Sequence, residues 1–378
     1  MTDGLCPCPA IRGPQGRRGP LGPRGPRGNF ATEGDAPSDF VYSTGSEWVA
    51  GSSVVRLGIH AGMDTVQDGV AMGENAGHIL QADHALACGS GAGSSGQGDS
   101  GVGIGAASGE LGQGAAGVAV GLSAGEGSQG GQAVAVGPFA GMESQGSQSV
   151  ALGGFGFTTV IVQAADAVAI GNEAVGRQED GSVCIGGHGS VDQGQLSVRV
   201  GKGINDISQQ GANTVSAGFA AGSRIQSLGS TALGTLAAHI TQSPLSVAVG
   251  PAAAAINQGP YAVAVGLFAG GRDQGTGSVC IGYPNQPGIA QNEGGGSLTI
   301  GHLATCSAPA PLDSYSIAIG TGATVPVVNS IVMHAFDSVL TTSASAVWYA
   351  SPIRTVTSIV GLRPLYVNLP TAEVVHAE

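Results

Sequence analysis

Ala133-Val-Ala-Val-Gly-Pro-Phe-Ala-Gly-Met-Glu-Ser-Gln-Gly-Ser-Gln148 carries the pattern that decides how the whole chain is read. With Gly137 as anchor, aliphatic side chains stand three and one residues before it, Val134 and Val136, and the small Ala135 lies between them. Alternation of period two marks a short β-strand with two unlike faces. Ala140 and Gly141 follow the anchor as a corner from which bulk is excluded. Gln145 comes eight residues after the anchor.

The same unit recurs in both directions. Seventeen anchor glycines run from Gly58 to Gly320 at a nearly constant spacing of about 16 residues. Val168 and Ile170 flank Ala169, and Val263 and Val265 flank Ala264. These pairs, with Val134 and Val136, are read as the core of the repeat strand. Glutamine returns near the eighth position from Gln67 to Gln291, including Gln129, Gln145, Gln226, Gln242, Gln258 and Gln274. A fixed period of this kind is the sequence signature of a solenoid. Stacking would place the glutamines above one another, so that each side-chain amide bonds the next, on a second strand or turn. The expected fold is therefore all-β: a parallel β-solenoid of about seventeen rungs of about 16 residues. Two aliphatic side chains per rung make a thin core, which favours packing against neighbouring chains.

Composition points the same way. Glycine supplies 68 of 378 residues, while charged residues are 10% and aromatics 4%. Low charge usually means burial or a membrane, yet no window reaches the ~18 continuous apolar residues of a membrane helix. The net charge is −12, although Arg12, Arg17, Arg18, Arg24 and Arg27 crowd the N-terminus. The body after Asn29 is thus strongly acidic, which argues against a nucleic-acid partner. No basic and apolar leader opens the sequence, so no secretory signal is expected.

Glycine also recurs at every third position from Gly13 to Gly28, with proline following it in four of the six triplets. Only glycine fits the axis of a three-chain polyproline helix, so this stretch reads as a collagen-like arm. Cys6 and Cys8 lie just upstream. Either they form interchain disulfides that lock the register of three chains, or they are free thiols.

The units Ala133–Gln148 and Tyr261–Gly277 resemble the head repeats of YadA-type trimeric autotransporter adhesins. Ser149-Val-Ala-Leu-Gly153, Ser246-Val-Ala-Val-Gly250 and Ser316-Ile-Ala-Ile-Gly320 carry that likeness over roughly residues 53–324. The resemblance implies a left-handed parallel β-roll, three chains side by side, and surface adhesion. Unlike that family, the sequence is expected to carry no signal peptide, no long heptad stalk and no C-terminal membrane β-anchor. The stretch Ala346–Glu378 is similar to the closing segment of viral and phage fibre proteins, at Tyr349–Arg354 and Leu365–Glu373.

Five segments follow: a tail (1–12), the collagen-like arm (13–30), a linker (31–52), the repeat roll (53–329) and a fibre-like β segment (330–378). The expected function is a homotrimeric structural or adhesive fibre on the surface of a large DNA virus or phage, without a membrane span. Its expected partners are a host receptor or glycan and other virion or fibre proteins. The alternatives are a passive coat component and a glycan-active solenoid enzyme. No enzyme activity, cofactor or metal is expected: there is no phosphate loop or His-Glu-x-x-His, and His302 and Cys306 have no supporting ligands. Cys184 and Cys280 occupy the small position two before an anchor and Cys88 the position one before, so all three read as small apolar fillers.

Overall fold

The structure is a computed structural model. It describes residues 40–43, 46, 48–51, 54–64, 68–154, 162–171, 177–186, 191–202, 208–283, 295–305, 315–325, 328–334, 340–341, 348–351, 365–368 and 373–376. The collagen-like triplets, Cys6, Cys8, Gln67, Gln291 and Cys306 lie outside these residues. The chain divides into two units, Met1–Ser52 and Ser53–Glu378. In the first, Phe40–Ser43 pairs antiparallel with Trp48–Gly51.

The second unit is a parallel β-solenoid. Its long sheet begins at Val55–Leu57, takes one three-residue strand from each repeat, and ends at Trp348–Ser351. Register is kept from unit to unit: Val134 pairs with Val150 and Val150 with Val168, while Ala135 pairs with Ala151 and Ala151 with Ala169. The second sheet contains ten shorter parallel strands, from Ser128–Gln129 to Arg272–Gln274. Isolated bridges at Ile79–Ser95, Ser95–Leu111 and Gln113–Gln129 continue it towards the N-terminus. Among the described residues no helix occurs. Leu365–Asn368 and Glu373–His376 pair as an antiparallel hairpin.

Two expectations need correction. The expected seventeen rungs do not match the observed coil, because its two sheets differ in extent. Nineteen strands form the long sheet among the described residues, whereas the second sheet has ten, with a further parallel pair at Ala323–Thr324 and Leu340–Thr341. Rungs closed by strands on both sides are therefore fewer than the anchor glycines.

The second correction concerns facing. The residue two before each anchor points inward: Ala135, Ala169 and Ala264 are fully buried. The flanking aliphatics point out of the coil. Val134, Val168, Ile170, Val263 and Val265 are half-buried, and Val136 is 38% exposed. Stacked alanines form the continuous apolar clusters of the interior, Ala119 to Cys184 and Ala221 to Cys280. The physical reason is space. The glutamine side chains reach across from the second sheet, so the space beneath the first is filled mostly by methyl groups.

Corners are set by backbone geometry. Gly121 has φ +135°, and a Cβ built there would lie 2.6 Å from the carbonyl oxygen of Gly137 in the next rung. Few L side chains adopt such a conformation, and none could be accommodated at that contact. Three residues on, Ala124 N donates to Gly121 O, closing a tight turn. Gly125 then takes φ +55°, with the Gln129 amide packed where its side chain would be.

Candidate interaction faces and the ladder beneath them

Each glutamine of the ladder, from Gln81 to Gln274, points into the coil and is almost fully buried. Gln129 is representative. Its Nε2 donates to the carbonyls of Val118 and Ala133 and to Oε1 of Gln145, 3.0 Å away in the next rung. Its own Oε1 accepts from Gln113 Nε2 at 2.9 Å. A buried amide is costly unless its hydrogen bonds are made, and here the neighbouring rungs make them. Gln242, Gln258 and Gln274 repeat the arrangement at 3.0 and 3.1 Å. Since Gln129 Nε2 also reaches the long sheet at Val118, the ladder ties the two sheets together.

The ladder is not continuous. It runs through Gln81, Gln97, Gln113, Gln129 and Gln145, then Gln163, Gln178 and Gln193, then Gln210 and Gln226, and last Gln242 to Gln274. At the start of the last three runs, Oε1 of Gln163, Gln210 and Gln242 is buried without a hydrogen-bond partner. The first two breaks fall where the repeat lengthens, between Gln145 and Gln163 and between Gln193 and Gln210. The third, between Gln226 and Gln242, falls at the ordinary spacing, and nothing in the structure explains it.

The inward position is not always alanine. Cys184 and Cys280 fill it, both buried, while Cys88, one residue later in its unit, is half-buried. Arg199 also fills it, 7% exposed, between Cys184 in the rung before and Ser216 in the rung after. Burial pushes the Cys184 thiol up to about 11, against the opposing pull of the nearby Arg199 charge. The same burial lowers the guanidinium of Arg199. Periodicity alone did not mark this arginine, although its place between Val198 and Val200 identifies it once the inward position is known.

Outside the coil, the long sheet presents two aliphatic rows in register from Val55 and Leu57 to Ile331 and Met333. The second sheet presents the residue before each glutamine. Over most of its length this residue is small or polar, such as Ser128, Ser144, Thr241 and Asn257. His84 bridges Asp68 and Asp99 at 3.7 and 3.5 Å on an exposed corner, where such contacts contribute little. Among the described residues no group of three or more His, Cys, Asp or Glu is placed to hold a metal. Nor is any helix among the described residues long and apolar enough to cross a membrane. No family model matches the sequence, and no curated relative is found for it.

Proposed function

We propose that the protein is a structural and adhesive rod, working as a homotrimer on an exposed surface such as the virion of a large DNA virus or phage. The observation that carries this reading is the pair of outward aliphatic rows. At ~4.8 Å per strand they extend for roughly 90 Å. A soluble monomer rarely leaves a contiguous apolar patch of more than a few hundred Å² uncovered. A periodic face is best matched by a partner with the same period, and a second copy of this chain has it rung for rung. Three copies, rather than two, agree with the glycine triplets of Gly13–Gly28. The left-handed winding and the adhesive role come from the resemblance to YadA-type heads.

In this reading the protein has no catalytic role. The rod holds a binding surface away from its point of attachment. Light scattering on the full-length chain tests the assembly: three copies of 36.7 kDa give about 110 kDa. A stable monomer would overturn the reading. Binding of the purified rod to intact host cells, lost on deleting central rungs, separates an adhesin from a passive coat component.

A further inference from the structure

One stretch of the second sheet differs from the rest of it. Arg177, Asp192, Gln209 and Ile225 are paired in register on four successive strands, and all four are exposed. With Glu179 and Leu228 they border an open groove of about 510 Å³. Elsewhere in this sheet the outward row is mostly Ser, Thr, Val and Asn, with charge returning only at Arg272 and Asp273 on its last strand. The interior changes over the same rungs, with Cys184, Arg199 and Ser216 replacing alanine. The sequence changes too. No lysine or arginine occurs between Arg56 and Arg177, and then Arg177, Arg199, Lys202 and Arg224 follow over a few rungs.

We propose that this groove binds a neutral oligosaccharide lying along the axis of the coil. The lining is suited to a polyhydroxyl ligand. It offers a guanidinium as donor, the carboxylates of Glu179 and Asp192 as acceptors, and the Gln209 amide as both. Ile225, Leu228 and Pro244 supply an apolar wall for the C–H face of a sugar ring. Arg177 closes no ion pair with Asp192 or Glu179 among the described residues, and although Glu179 Oε2 accepts from Gln195 N at 3.2 Å, its other oxygen, Asp192 and Arg177 keep hydrogen-bonding capacity for a ligand. One guanidinium against two carboxylates, on a chain of net charge −12, disfavours an anionic ligand. The row repeats at the strand spacing of ~4.8 Å, so four strands match roughly three sugar rings.

This inference rests on the adhesive reading but is separable from it. The aliphatic rows lie on the opposite sheet, so a trimer formed through them leaves the groove open. The test is a printed array of neutral gluco-, galacto-, manno-, xylo- and N-acetylglucosamine oligosaccharides, with sialylated and sulfated glycans as a second arm. Full-length protein is applied as wild type and as Asp192→Asn, Gln209→Ala and, away from the groove, Ser128→Ala. Neutral glycans are expected to bind, with affinity falling about tenfold or more in Asp192→Asn and Gln209→Ala and unchanged in Ser128→Ala. Circular dichroism checks that each variant keeps its fold. The proposal is overturned if no neutral glycan binds, if only charged glycans bind, or if the two groove variants bind as wild type does. Light scattering on the same samples reports the trimer independently.

Discussion

Replacing Gln129 by leucine keeps the side-chain volume and removes the amide. The structure shows what is lost. Gln145 Oε1 is left without its donor, and the carbonyls of Val118 and Ala133 each lose one bond. Ala133 O keeps Val118 N, and Gln113 Nε2 keeps Val102 O and Gly117 O, so neither becomes an orphan. An orphaned buried acceptor costs about 1–3 kcal/mol, and each lost bond to a carbonyl about 1 kcal/mol. Leucine returns part of this through apolar burial, leaving a loss of about 3 kcal/mol. Gln148 provides the control, because its Nε2 bonds Gln132 Oε1 in the neighbouring rung at 3.2 Å but in solvent. Gln148→Ala should therefore cost less than about 0.5 kcal/mol. Urea denaturation measures the stabilities, and hydrogen exchange across residues 128–134 and 144–150 locates the damage. Equal stabilities for the two variants would refute the claim that the buried ladder holds the sheets together.

Three further outcomes are expected. Gly121→Ala should cost about 3 kcal/mol or more by thermal unfolding, since the new Cβ meets the Gly137 carbonyl at φ +135°; a neutral result would mean that the corner relaxes. Ala135→Val should destabilise the coil by about 2 kcal/mol, whereas Val136→Ala should chiefly weaken association; the reverse order in denaturation and light scattering would invert the facing described above. Cys184 carries a raised pKa, so its contribution is fully present below the ordinary thiol pKa and is lost as pH rises from about 9 towards 11. Its full extent is about 3 kcal/mol, and Cys184→Ala should remove that part of the pH dependence; an unchanged slope above pH 9 would contradict the buried thiol.

Much of this architecture is legible in the sequence because a solenoid writes its geometry once per turn. The spacing of Gly121, Gly137 and Gly153 gives the period, and the alternation through Val134, Ala135 and Val136 gives the strand. Alternation says which residues share a face, but not which face is inside. Apolar size favours the valines, and that reasoning misleads where glutamine amides already share the interior. Alanine lies inside because the Gln129 and Gln145 amides already fill the space between the sheets. The extent of the second sheet was hidden for a related reason. Its strands are two or three residues long, and on the N-terminal side of Gln129 the pairing thins to single bridges. The groove row is spread over Arg177, Asp192, Gln209 and Ile225 at unequal intervals, and becomes a row only when the register is known.

Electron microscopy of the full-length protein, viewed end-on and averaged without imposed symmetry, tests the chain-to-chain role of the aliphatic rows most directly. Three coils packed around an axis, each close to 90 Å long at ~4.8 Å per strand, is the expected image. Isolated single coils, or pairs related by a twofold, would contradict it.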